Sequence, residues 1–315
     1  MKPLRAFWQI SKYTGMAFLL AILILSVVYL YPVLPDPEPG FLARKGNIAN
    51  VQTTREWQQF DNHFQELTLT SDSGLQVEIS VRRPSTHSAS RPLIIILGGY
   101  GTGRHATELI DTPQDMVIAS LSYPYGGDNR MTGIGLLLNI PHIQQAMLDI
   151  TPAILLTLEY LLQQDYVDKQ QVELAGVSLG AFFVPMAAVL DKRVQRLWLV
   201  QGAADPETIF AYRMQNSRKP KWWRNQLAGL LAIIGNVRHL TPELWLSKVS
   251  PRPVIVINSR QDVSFPQSSV KALHTALHDP YEIIWVEGEH VTPSRKSVIK
   301  QLTDIVLARM KHGIQ

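Results

Sequence analysis

Two kinds of apolar pattern divide this chain. The first is a single run, Met16 to Leu34, of nineteen residues without a charge. A helix rising about 1.5 Å per residue covers roughly 30 Å over that length, the hydrocarbon thickness of a bilayer. Lys2, Arg5 and Lys12 precede the run, and Asp36 and Glu38 follow it. The positive-inside bias then puts the N-terminus in the cytoplasm. Trp8, Tyr13, Tyr29 and Tyr31 stand at its two ends, where amphipathic rings prefer the headgroup level. The sequence thus predicts a cytoplasmic N-terminus over 1–12 and a single-pass transmembrane signal-anchor helix over 13–34. Everything after it is expected on the extracytoplasmic side, as at a bacterial inner membrane facing the periplasm. The competing reading is a cleaved signal peptide, whose apolar core is usually only about 7–15 residues. The following YLYPVLPDPEPG offers it no small-x-small cleavage site.

The second pattern begins near residue 63. FQELTLT and LQVEISV alternate apolar and polar positions across Ser71-Asp72-Ser73-Gly74, which predicts an antiparallel hairpin. Six unbroken apolar runs follow: PLIIILGG (92–99), DMVIASLSYP (115–124), QVELAGVS (171–178), RLWLVQGAA (196–204), PVIVINS (253–259) and YEIIWVEG (281–288). Strands without alternation are buried on both faces, as in a parallel sheet covered by helices. Helical patterns over 140–164, 179–191, 266–278 and 293–311 alternate with them. The expectation is a doubly wound α/β fold with a mostly parallel eight-stranded sheet, helices on both faces and one antiparallel hairpin at its start. Prolines at 32, 35, 37 and 39 predict a stiff Pro-rich linker over 35–62. The catalytic-sized domain is then 63–315.

Composition narrows the chemistry. With no cysteine there is no disulfide, thiol nucleophile or cysteine-ligated metal, though this leaves the compartment open. A net charge of +4 on scattered basic residues gives nucleic-acid binding little support.

One pentapeptide stands out. Gly176-Val177-Ser178-Leu179-Gly180 fits G-x-S-x-G at the end of the strand VELAG and the start of the helical LGAFFVPMAAVL. A serine there is forced into a strained turn, and Gly176 and Gly180 remove the Cβ atoms that would collide as strand and helix converge. A glycine-rich turn with a serine helix cap is the bland alternative. A nucleophilic serine needs a base, and the base an orienting acid, in the chain order serine, acid, histidine. His290 follows the last strand in Glu287-Gly288-Glu289-His290-Val291 and precedes the last helix. Asp262, after PVIVINSRQ, is the favoured acid, and Asp205, one strand earlier, the alternative. His274 and His278, four apart on a helix, read as packing or surface residues rather than metal ligands. The backbone N–H of Leu179 should supply one oxyanion donor. The loop Gly98-Gly99-Tyr100-Gly101-Thr102-Gly103-Arg104 should supply the other, from Tyr100 or Gly101. That loop lacks a phosphate-binding signature, because Arg104 occupies the place of the last glycine of G-x-G-x-x-G.

With these placements, residues 64–311 resemble the α/β-hydrolase superfamily, in its esterase, dienelactone-hydrolase-like and acyl-thioesterase branches. Val167 to Gly180 is similar to the segment leading into the nucleophile of those families. Many members carry His-Gly after the third strand, where this chain has Gly98-Gly99. The resemblance implies hydrolysis of a small-molecule ester, thioester or amide through an acyl-enzyme, with no metal or organic cofactor. Acyl transfer and peptide cleavage could run on the same triad, and a non-catalytic scaffold is a further alternative. The family also implies a helical cap over 205–250, roofing the site and shaping the acyl pocket. Within it Arg218, Lys219, Lys221 and Arg224 flank Trp222 and Trp223. They are either a solvated basic face with packed tryptophans or a second contact with the membrane surface.

Overall fold

The computed structural model describes residues 12–23, 25–26, 37–85, 90–99, 101–110, 115–127, 133–217 and 219–311. Nine strands form one sheet in the order β1-β2-β3-β5-β4-β6-β7-β8-β9. They are β1 (Ile48–Gln59), β2 (Asn62–Ser71), β3 (Gln76–Pro84), β4 (Arg91–Leu97), β5 (Val117–Leu121), β6 (Val167–Val177), β7 (Arg196–Val200), β8 (Val254–Ser259) and β9 (Tyr281–Val286). β1 to β3 pair antiparallel and β3 meets β5 antiparallel, while β4 to β9 run parallel. All eight expected strands are present, and β1 is a ninth.

The unbroken apolar runs split between two cores by alternation. Leu93, Ile95 and Leu97 of β4 join Leu174, Leu197 and Leu199 under the helices Gly133–Leu161 and Val184–Leu190. Ile94 and Ile96 join Ile118, Ala175, Trp198 and Val200 on the opposite face, covered by the C-terminal helix Lys296–Lys311. Strands buried on both faces need apolar residues at every position, which is why the runs do not alternate. At the end of the Trp198 face, Glu173 accepts from the Trp198 indole and lies 3.2 Å from Arg196. Burial raises its carboxyl above the ordinary range despite these two partners.

The start of the domain differs from the expected linker. Residues Pro37–Lys45 form a helix, and Ile48–Gln59 pairs along β2 as an edge strand. Prolines in the first turn of a helix cost little, because the N–H groups they lack have no intrahelical partner there. The helix is anchored by Phe41, fully buried in the main core, and by Arg44, 2.6 Å from Asp149. The folded unit therefore extends upstream of residue 63 and includes 37–62.

The expected transmembrane stretch lies partly outside the described residues, which omit 24 and 27–36. Its described portion is helical over 12–23 and 25–26, with Tyr13, Phe18, Leu19 and Leu23 each at least 60% exposed. Among the described residues no helix is long and apolar enough to cross a membrane.

Candidate active site

The sheet order reverses its direction of growth at β4, which β5 flanks on one side and β6 on the other. In open α/β sheets the crevice beyond the carboxyl ends of the strands at such a point is where ligands bind. Here that crevice is made by Gly98-Gly99 after β4 and by Ser178 after β6.

Ser178 sits at φ +54°, a left-handed conformation costly for a residue with a Cβ, between β6 and a 3₁₀ turn over Ser178–Phe182. The helix Val184–Leu190 follows. Close approach explains both glycines of the motif. A Cβ on Gly176 would lie 2.6 Å from the Gly180 carbonyl oxygen, and one on Gly180 would overlap the carbonyl oxygen of Leu97. The turn is thus the strained strand-to-helix elbow the motif calls for, not a simple helix cap.

Three side chains from three loops meet there. Ser178 Oγ lies 2.8 Å from His290 Nε2, and His290 Nδ1 lies 2.6 Å from Asp262 Oδ2. With Asp262 ionised, the neutral imidazole carries its proton on Nδ1 and donates it to the carboxylate, leaving Nε2 to accept from the serine hydroxyl. Asp262 is buried, and its other oxygen accepts the Ser264 backbone N–H at 2.7 Å. Phe265 presses edge-on against the imidazole at 5.5 Å between ring centroids.

The alternative acid, Asp205, is occupied elsewhere. It caps the helix Pro206–Arg213, accepting from the backbone N–H of Thr208 at 3.1 Å. The Nε2–H of His274 donates to Asn258 Oδ1 at 2.8 Å and the ring packs edge-on against Trp285, a packing role; burial lowers its pKa.

Of the two expected oxyanion donors, Leu179 is the first residue past Ser178 in the 3₁₀ turn, where backbone N–H groups have no partner within the helix. Tyr100 lies outside the described residues. Its neighbour Gly99 is close enough that a Cβ there would lie 3.3 Å from Ser178 Cβ. The loop is fastened by Tyr123, whose hydroxyl donates to the Gly98 carbonyl at 2.6 Å. Burial pushes the Tyr123 phenol well up, so it remains a donor.

Gln201 was not apparent from the sequence. It is fully buried, just past β7, with φ +49°. Its carbonyl oxygen accepts the backbone N–H of Val291, and its amide nitrogen donates to Ser259 Oγ. Arg295 adds a 2.7 Å bond to the carbonyl of His290 itself. The histidine loop is therefore held from both sides. A buried glutamine ending an apolar strand was the only available signal.

The 205–250 segment contains the expected helices, Pro206–Arg213 and Lys221–Ile234 among them. It touches the site through Tyr212, which donates to the carbonyl of Val263, and through Ile209 packed with Phe265. It does not shape the apolar pocket. The cavity beside Ser178, about 290 Å³, has no described residue of 205–250 in its wall and is walled instead by the C-terminal helix. Trp222 is 66% exposed and Trp223 has Lys219 over its ring, while Arg218 lies outside the described residues. Outside the triad, Glu66, His105 and Glu108 converge, but Arg104 already lies 3.6 Å from Glu66 and compensates its charge.

No protein-family model matches the chain, and no curated protein is similar in sequence. Solved structures are similar in fold. An acetyl xylan esterase from Paenibacillus sp. R4 matches with a TM-score of 0.61 at 15% identity, covering 86% of this chain and 95% of that one. Acetyl xylan esterase 1 from Thermoanaerobacterium sp. matches at 0.58 and 14% identity, covering 88% and 93%. Est1E from Butyrivibrio proteoclasticus matches at 0.54 and 15%, covering 79% and 99%. At such identities the likeness establishes the α/β-hydrolase fold.

Proposed function

We propose that the chain is a serine hydrolase that cleaves a carboxylic ester or thioester through an acyl-enzyme. The observation that carries this reading is the continuous relay of 2.8 Å and 2.6 Å from Ser178 through His290 to Asp262, on a strained elbow. The esterases among its fold neighbours support the same class.

His290 takes the proton of Ser178 as Oγ attacks the acyl carbonyl carbon. Asp262 holds the Nδ1–H tautomer and stabilises the imidazolium that forms. The backbone N–H groups of Leu179 and of the Tyr100 loop receive the oxyanion. The tetrahedral intermediate collapses, His290 protonates the departing alcohol or thiol, and the acyl group stays on Ser178. Water then gives its proton to His290, attacks the acyl-enzyme and releases the carboxylic acid, restoring Ser178.

The same reading places the enzyme at a membrane. The apolar stretch over 13–34 tethers it, with the catalytic domain on the extracytoplasmic side. Supporting this are the exposed apolar side chains of its described portion, from Tyr13 to Leu25, which no core covers. Trp222 and Trp223, beside Lys219 and Lys221, form a second surface suited to the interface.

The test is covalent labelling by a small fluorophosphonate, followed by peptide mapping. Labelling of the wild type confined to Ser178, and lost in Ser178→Ala, is the expected result. Absence of labelling in well-folded protein would overturn the hydrolase reading.

A further inference from the structure

The cavity of about 290 Å³ that opens beside Ser178 runs away from the 205–250 helices and into the opposite face of the sheet. Its floor is the sheet itself. Ile94 and Ile118 lie in register on β4 and β5, Ile96 and Ala175 on β4 and β6, and Val177 and Val200 on β6 and β7. Its far wall is the C-terminal helix, through Leu302, Val306 and Leu307. Its roof is thin: the described part of the crossover from β4 to β5 carries a 3₁₀ turn, Gly103–Leu109, whose buried residues are Ala106 and Thr107.

That construction explains why the space exists. A parallel crossover generally uses a helix long enough to cover the strands it spans. Among the described residues of this crossover a short turn takes that place, packed on β5 and β3 more than on β4, and its small Ala106 lines the same space as the equally small Ala175. An unfilled apolar cavity of this size destabilises a fold, and a dry one binds apolar guests. It far exceeds the space one water needs, which is roughly 10–15 Å³ on a comparable measure.

The chemistry of the wall selects the guest. Among the described residues no lysine, arginine, aspartate or glutamate lines the cavity, so nothing there would hold a charged headgroup. Ser178, His290 and Thr292 sit on its wall among otherwise mostly apolar residues. Gly98 and Gly99, the loop expected to receive the oxyanion, also border it.

We propose that this cavity is an acyl-chain chamber, taking the unbranched aliphatic tail of a medium-chain fatty acyl group while its carbonyl sits at Ser178 Oγ. The inference rests on the serine-hydrolase reading and adds the substrate class to it. The chamber holds the chain throughout the acyl-enzyme stage, since the acyl group is the part that remains on the serine.

The experiment uses the full chain in detergent and three measurements. A small fluorophosphonate first reports whether Ser178 reacts at all. The kcat/KM is then measured for nitrophenyl esters from acetyl to hexadecanoyl, and separately for acetate esters whose alcohol lengthens instead. Burial of each methylene should raise kcat/KM by about fourfold along the acyl series until the chamber is full, with a fall beyond it. The alcohol series should stay flat. Ala175→Met, which intrudes on the floor, should lower the octanoyl-to-acetyl ratio at least tenfold. If that variant does not fold, competition between octyl and ethyl fluorophosphonates on the wild type gives the same comparison, with the octyl probe expected to win. A flat acyl series, or a gain along the alcohol series, with Ser178 labelled, overturns the chamber and leaves the hydrolase standing. No labelling of folded protein overturns both.

Discussion

The side-chain carbonyl of Gln201 accepts the backbone N–H of Val291, one residue beyond His290, and so ties the end of β7 to the loop that carries the base. The glutamine touches none of the three triad side chains in its hydrogen bonds; it acts by holding the loop in place. Gln201→Ala leaves the Val291 N–H and Ser259 hydroxyl without this partner and lets the loop relax. Displacements of about 1 Å near a reacting centre can cost on the order of a hundredfold. We expect kcat to fall ten- to a hundredfold with KM changed less than threefold, and the rate of fluorophosphonate labelling to fall in parallel. A folded variant that keeps wild-type kcat and labelling rate would show that the clamp does not position His290.

The two candidate acids separate cleanly by substitution. Asp262→Asn keeps the shape of the side chain but offers His290 the wrong hydrogen-bonding partner, and a loss of about 10⁴ in kcat is expected on the triad precedent. Asp205→Asn should leave kcat within threefold, because asparagine caps helices nearly as well and tolerates the positive φ of +55° found there. Asp205→Ala should cost about 1 kcal/mol of stability in chemical denaturation without a matching loss of kcat. The reverse pattern would move the acid one strand earlier.

Gly180 has no room for a side chain, since its Cβ would run into the Leu97 carbonyl oxygen, a backbone atom that cannot rotate away. Gly180→Ala should destabilise by about 3 kcal/mol or leave the chain insoluble. Gly74, with open space around its Cβ position, serves as a control for glycine substitution in general. Gly74→Asn, suited to its positive φ, should change the melting temperature little. Equal tolerance at both positions would mean that strand and helix do not meet as closely as the elbow requires.

Much of this was legible in the sequence, for identifiable reasons. β4 through β8 lie on both cores, so each wrote an unbroken apolar run, while the edge strand β9 leaves Tyr281 and Trp285 exposed; the order Ser178, Asp262, His290 followed from which loops close those runs. β1 hid because it is an edge strand with polar residues at most positions and because its two-residue turn, Phe60-Asp61, carries no glycine or asparagine and places Phe60 at φ +53°. The helix Pro37–Lys45 hid because its prolines read as a spacer, when the first helical turn tolerates them. The cavity could not be read at all. It depends on Ala106 and Ala175 facing one space from two different elements, and on which sheet face the C-terminal helix covers. Gln201 was equally silent, since its effect comes from a loop some ninety residues away.

The pH dependence of stability should carry a contribution from His274. Burial lowers its pKa below the ordinary 6.5, so the folded protein holds it neutral against Asn258 while the unfolded chain takes up a proton. Between 6.5 and the lower folded value the unfolded state binds more protons, and stability therefore falls as pH falls through that window. Above 6.5 both states are neutral and the contribution is constant. Urea denaturation of wild type and His274→Gln between pH 5 and 8 should show a steeper acid-side loss in the wild type. Parallel curves for the two would assign the acid sensitivity to other groups.

The boundary of the folded unit gives the last expectation, and it also bears on the anchor. Phe41 is fully buried, and β1 covers the edge of β2, so removing residues 1–62 empties a core position and bares a strand edge. Loss of a buried phenylalanine alone costs about 3–5 kcal/mol, and an uncovered edge invites pairing between chains. A chain beginning at residue 36 should therefore unfold cooperatively and label at Ser178, whereas one beginning at 63 should aggregate. Phe41→Ala in the longer chain should lower stability by about 3–5 kcal/mol. The full chain should sediment with membranes and be released only by detergent, while the chain from 36 stays in the supernatant. A full chain that remains soluble without detergent would remove the tether. A chain from 63 that folds with the same melting temperature would return the boundary to where the prolines first suggested it.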